Sequence, residues 1–195
     1  MTMWQGVTVK VKPTLQPVAL ARVKEWLRVD HSADDGVIQD MVDGAIARID
    51  GPSGIGVALM TQTWQKTIDA FKPVIQLPGW PIKSVSSVMY LDGAGVWQTL
   101  SPTLYRVDID AEPARITPIL GGSWPVAQPV IGAVRIAYVL GEADATLFPA
   151  DLKTAIYMLT AYRYENREAA GAAAAEIPLG VSHILTNYNR CSVTA

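Results

Sequence analysis

The chain has 195 residues, half of them hydrophobic and 17% charged. That apolar content suits one domain, or a domain carrying an insertion, with a substantial core, and it excludes a disordered chain. Lysine and arginine number 16 against 18 aspartates and glutamates, a net charge of −2 with no basic run, which disfavours a protein that grips nucleic acid through its phosphates. The single cysteine, Cys191, makes neither an internal disulfide nor a metal site. The opening "MTMWQGVTVKVKPTL" carries no cleavage signal, and no segment is long and apolar enough to span a membrane. A soluble protein that stays in the cytoplasm where it is made is the expectation.

The first periodic segment is "QPVALARVKEWLRV", Gln16 to Val29, with Leu20, Val23, Trp26 and Leu27 at helical spacing. Trp26 belongs to that stripe and is expected in the core. "DHSADD" breaks the pattern. Ser32 is placed to cap the next helix, and Asp34 and Asp35 suit its first turn. That second helix has the best periodicity in the chain, through Ile38, Met41, Val42, Ala45, Ile46 and Ile49. Gly51 suits the left-handed position that ends it, and Pro52 forbids continuation. "IGVALM" reads equally as a helical turn or a loop.

From Thr61 to Gly141 helical spacing gives way to short β-branched and aromatic runs between prolines and glycines. "TQTWQKTIDAF" predicts a strand. "VSSVMYL" and "VWQTL" flank "DGAG" as a hairpin, and "LYRVDID" and "ARITPIL" flank "AEP" as a second. In "GAVRIAYVLG" the residues Val134, Ile136, Tyr138 and Leu140 share one face. Five or six antiparallel strands are expected. A third helix starts at Pro149, with Leu152, Ala155, Ile156 and Leu159 as its buried stripe and Tyr162 continuing it. "GAAAAEIPLG" reads as a linker, and "VSHILTNYNR" as a short amphipathic end with Val181, Ile184, Leu185 and Tyr188 apolar. The predicted fold class is α+β, a helical bundle with a small antiparallel β domain inserted between its second and third helices. The predicted divisions are N-terminal helices over 1–60, the inserted β domain over 61–145, the third bundle helix over 146–170, and a linker with a C-terminal interaction segment over 171–195.

Catalytic chemistry finds little support. The two histidines, His31 and His183, lie far apart in sequence beside no nucleophile motif. "GPSGIG" follows a helix and lacks the P-loop lysine, so it reads as a helix stop. Asp30, Asp34 and Asp35 read as a turn complementing a helix terminus, and Asp108, Asp110 and Glu112 as a solvated strand end, in preference to cation ligands. Six tryptophans invite a carbohydrate- or receptor-binding reading, with Trp80 and Trp124 in Pro/Gly loops; the competing reading has each ring pin its loop to the β core. A carboxylate hydrolase is a further rival. No cofactor and no metal are predicted.

The end of the third helix, "YRYENRE", packs tyrosines, arginines and glutamates into seven residues. Helical spacing sends them in several directions, whereas a catalytic site converges. A solvated helix end and a subunit contact are the two readings left, since Tyr and Arg carry interface energy.

Four segments in order resemble the head–tail connector (adaptor) proteins of long-tailed bacteriophages, prophages and gene transfer agents. They are "QPVALARVKEWLRVDHSADDGVIQDMVDGAIARID", "TQTWQKTIDAF" with "IQLPGWPIKSVSSVMYLDGAG", "FPADLKTAIYMLTAYRYENRE", and "IPLGVSHILTNYNR". The last departs from the family's usual double-leucine ending. The resemblance implies a non-enzymatic structural part located in the neck of a virion or virus-like particle, and in host cytoplasm during assembly. It implies a homo-oligomer, a dodecameric ring under the portal protein, meeting the next neck component (the stopper) and letting DNA pass without reading it. It implies subunit contacts through Tyr162, Arg163, Tyr164, Arg167, Trp80 and Trp124. It also implies portal contacts through Ile177, Pro178, Leu179, Val181, Ile184, Leu185, Tyr188 and Arg190.

Overall fold

The computed structural model describes residues 4–166 and 179–190. Strand β1 (Val7–Val11) comes first, then helices α1 (Leu20–Leu27) and α2 (Asp35–Ile49). Seven strands follow: β2 (Gln62–Ile68), β3 (Ile75–Leu77), β4 (Ile82–Leu91), β5 (Trp97–Thr99), β6 (Tyr105–Asp108), β7 (Ala114–Pro118) and β8 (Val134–Leu140). Helices α3 (Ala150–Glu165) and α4 (Leu179–Tyr188) close the described chain.

All strand pairs are antiparallel, in a five-stranded sheet of order β1-β2-β8-β4-β5 and a three-stranded sheet of order β3-β7-β6. The two anticipated hairpins form as β4–β5 and β6–β7. Val134, Ile136, Tyr138 and Leu140 on β8 are fully buried, as alternation on the central strand requires. With Trp64, Leu77 and Ile116 they make a β core.

The α+β class holds, but the expected helical bundle with an inserted β domain does not. β1 lies before α1 and forms the edge of the five-stranded sheet, with Val7 opposite Lys66 and Val9 opposite Trp64. The β unit therefore takes strands from both sides of the first two helices and is no insertion. Its two sheets hold eight strands, where a small domain of five or six was expected. The stretch "VTVKV" is short, and its partner is remote in sequence. Its alternation suits a strand, but nothing local shows which strand it pairs with.

The helices make a second core. Ile38, Val42, Ala45 and Ile49 of α2 meet Leu152, Ala155, Ile156 and Leu159 of α3, with Val23 of α1 and Val181 and Leu185 of α4. The α2 stripe is therefore correctly placed. Its terminus is also as expected, since Gly51 has φ 85° beyond the last turn. Ser32 does not cap α2 with its side chain; Asp34 occupies the cap position. Trp26 is not in the core. It is 51% exposed and stacks on Tyr157 of α3, ring centroids 5.4 Å apart.

Ile55 to Met60 joins the two halves. All six residues are buried, with Val57, Leu59 and Met60 in the helical core and Ala58 in the β core. Val57 bridges in parallel to Asp50 and Trp80, and Met60 to Glu142. A segment buried on both faces shows neither helical nor alternating periodicity, which explains its ambiguity as sequence.

Candidate functional site

The polar end of α3 faces inward more than its composition suggests. Arg163 donates to the Met41 carbonyl of α2 at 3.3 Å, and its guanidinium lies where a side chain on Gly44 would stand. Tyr164 donates its hydroxyl to Asp34 at 2.5 Å, tying the end of α3 to the start of α2. Asp35, beside it, pairs with Lys24 at 2.5 Å. Tyr162 is half-buried, and its carbonyl accepts from both the backbone and the side-chain amide of Asn166. Arg167 lies outside the described residues.

Of the expected portal-contact residues, Ile177 and Pro178 lie outside the described residues. Val181 and Leu185 are buried against the chain's own helical core, and Ile184 and Tyr188 pack partly against it. Leu179, at 87% exposure, is the large apolar side chain that α4 leaves to solvent. Arg190 sits in a dense knot. It pairs with Glu112 at the β6–β7 turn, and its guanidinium lies 5.9 Å from the Trp80 ring. Its backbone N–H donates to Ile55 at 2.8 Å, and its carbonyl accepts from the Trp4 indole at 3.1 Å. The two ends of the described chain thus meet on the Ile55–Gly56 turn.

The loop tryptophans pin their loops, as one of the two readings held. Trp80 packs against the helical core beside Tyr188, and its backbone bonds to Gly56 and Ala58. Gly79 before it has φ 103°, and a side chain there would strike the Trp64 ring. The Tyr138 hydroxyl donates to the Pro78 carbonyl at 2.9 Å, clamping the same loop from the β side. Trp124 stacks on Phe71 at 4.8 Å and donates to the Lys72 carbonyl at 2.7 Å. Neither ring is a free stacking platform for a sugar.

The Asp108 carboxylate is engaged likewise. Asp108 pairs with Arg115 at 2.5 Å and accepts the Ala111 N–H, which hold its carboxyl below the ordinary range. Among the described residues no three side chains gather as a metal site.

A cleft of about 510 Å³ opens where β1 ends and the chain turns toward α1. Val9, Pro13, Leu15, Ile46 and Met60 supply apolar walls. At its floor Asp50 accepts from the Leu59 N–H at 2.8 Å and from the Gln62 amide at 2.9 and 3.0 Å; Gln62 in turn accepts from the buried Trp64 indole at 2.8 Å. Burial raises the Asp50 pKa against these bonds. The relay orients the C-terminal end of α2 against β2. Lys66, further along β2, is buried, which lowers its pKa to about 8 with help from Lys72.

Two features escaped the sequence reading. One is this cleft, whose walls come from segments distant in sequence. The other is the β7–β8 loop, which leaves Leu120, Val126 and Ile131 at 96%, 89% and 94% exposure. A signal for it existed, because Ile119 to Gly132 contains no charged residue.

No protein-family model matches the chain, and no curated protein matches it. Solved structures do. A chain from the virion of a native gene transfer agent particle is 25% identical, with a TM-score of 0.78 over 97% of both chains. A chain from the neck of an empty gene transfer agent particle, computed with C6 symmetry, is 24% identical with a TM-score of 0.78 over 97% of both chains. A third, from the neck of a native particle computed with C12 symmetry, is 24% identical with a TM-score of 0.67, covering 96% of this chain and 98% of that one. The chain shares its fold with these particle components, and the likeness is consistent with the head–tail connector resemblance carried by its motifs.

Proposed function

We propose that this chain is a structural head–tail adaptor, one subunit of a ring beneath the portal that extends the DNA channel and joins the capsid to the neck and tail. The observation that carries this reading is the end-to-end likeness, over 97% of both chains, to a virion chain of a gene transfer agent. Neck assemblies of six-fold and twelve-fold symmetry contain the same fold, which supports a ring of copies. The chemistry agrees. Asp34, Asp35, Asp108, Glu112, Trp80, Trp124, Arg163 and Arg190, each weighed as a site, are engaged in holding the fold. A net charge of −2 favours DNA sliding past over DNA held by its phosphates.

In this reading α4 is the portal-facing element. Val181 and Leu185 seat it on the helical core, while Leu179 and the outer part of Ile184 meet the portal. Contacts between neighbouring copies include Tyr162 and the outer edges of Arg163, Tyr164, Trp80 and Trp124, all half-buried in the single chain.

The test is deletion of the gene in a strain that makes particles, followed by electron microscopy. DNA-filled heads without tails, restored by the wild-type chain in trans, are expected. Normal tailed particles in the deletion strain would overturn the proposal.

A further inference from the structure

The β7–β8 loop and the cleft beside β1 lie at opposite ends of the five-stranded sheet. The register fixes this. β2 runs from Gln62, which lines the cleft, to Ile68, which pairs with Val134 at the foot of the loop. The loop is anchored at that far end, with the Gly132 N–H on Asp69 at 2.8 Å and the Gln128 N–H on the Leu91 carbonyl at 2.8 Å. β1 runs the other way, so Val11 and the Lys12–Pro17 turn lie at the cleft end. Seven residues of strand put the two features about 20 Å apart.

Their chemistry is complementary. The loop projects Leu120, Val126 and Ile131 and has no charge of its own. The cleft offers Val9, Pro13, Leu15 and Ile46, with Leu15 exposed, and Lys12 and Asp43 add charge to its lining. Asp50, in its lining, has its hydrogen bonds met from within the chain, so an uncharged visitor does not strand that carboxylate.

We infer that the β7–β8 loop of one copy seats in the β1–α1 cleft of the next copy around the ring. This rests on the ring reading above and gives it a head-to-tail contact. A projection at one pole and a recess at the other cannot satisfy each other within one chain; in a reciprocal two-fold pair both contacts close at two copies. The same contacts repeat without limit in a heterologous series, which closes if the rotation permits. The area points the same way. Three projecting aliphatic side chains bury a few hundred Å², within the range of a functional patch. A stable free-standing interface needs about 800 Å² per partner. One such contact is too small to hold a dimer in solution, whereas each copy in a closed ring is held by two.

The test uses particles assembled with a chain carrying Ile131→Cys and Leu15→Cys in a Cys191→Ser background. Mild oxidation is expected to give a ladder of covalent multimers ending at the ring. Chains carrying either cysteine alone are expected to stay single. A 131–131 dimer, or a covalent product that stops at the 15–131 dimer, would overturn the inference by showing a two-fold arrangement. Separately, Leu120→Asp with Ile131→Asp is expected to lower incorporation into particles at least about tenfold, with the melting temperature of the free chain unchanged. Full incorporation of that variant would overturn the loop contact while leaving the adaptor reading intact. Failure of the wild-type chain to enter particles would instead remove the adaptor reading itself.

Discussion

The polar end of α3 and the β7–β8 loop are a study in opposites. The first is dense in charge and aromatic hydroxyls, and it bonds inward, through Arg163 to Met41 and Tyr164 to Asp34. The second is uncharged and aliphatic, and it faces water with Leu120, Val126 and Ile131. Composition alone suggests the reverse. A polar group gains from a partner wherever geometry offers one, while an exposed aliphatic side chain gains nothing until something covers it. Groups with partners inside the chain are therefore expected to govern folding, and groups without them assembly.

Four measurements press on that contrast. The largest effect is expected at Asp50. Asp50→Ala strands the Leu59 N–H and the Gln62 amide and should lower stability by about 2–4 kcal/mol in denaturant titration. A loss near zero would mean the relay to Trp64 is unimportant to the fold. Next comes the α3 end. Arg163→Ala and Tyr164→Phe should each cost about 1 kcal/mol, and Tyr164→Phe should add nothing in an Asp34→Ala background. Full additivity there would break the inward half of the comparison.

Third is pH. The Lys66 pKa is lowered to about 8 in the fold, so between about pH 8 and its ordinary value the unfolded chain binds more protons than the folded one. Stability from this group should therefore rise with pH from about 8 to 10, by on the order of 1 kcal/mol, and Lys66→Met should flatten the slope. Buried Tyr138, its pKa raised by burial, opposes this only above its ordinary value near 10. The smallest effect on folding is expected from Leu120→Asp. At 96% exposure it should change stability by less than about 0.5 kcal/mol, however much it disturbs the particle.

Much of the fold could be read from the residues. The α2 and α3 stripes, both hairpins and the alternation of β8 are local patterns, and local patterns leave periodic traces. β1 could not be read as the edge of a sheet, because its partner lies beyond two intervening helices. Ile55 to Met60 could not be read as a seam, because burial on both faces erases periodicity. Trp26 was misplaced because helical spacing gives a face but not the depth of what covers it; here the cover is a single ring, Tyr157. The engaged state of Arg163 was equally hidden, since it depends on Gly44 leaving room on a neighbouring helix. The aliphatic loop also escaped, although the uncharged run from Ile119 to Gly132 was a local signal for it.

The junction of Trp4, Arg190 and the Ile55–Gly56 turn brings the first and last described residues side by side. A chain trimmed to residues 4–190, whose ends adjoin, is suited to circular permutation. Joining them with a short linker and reopening the chain at the exposed Gly93–Gly95 turn should preserve every strand pairing. Such a permutant would move the point of attachment for a fused cargo from the helical end to the tip of the β4–β5 hairpin. A reporter could then be displayed on a particle from either pole of the same subunit.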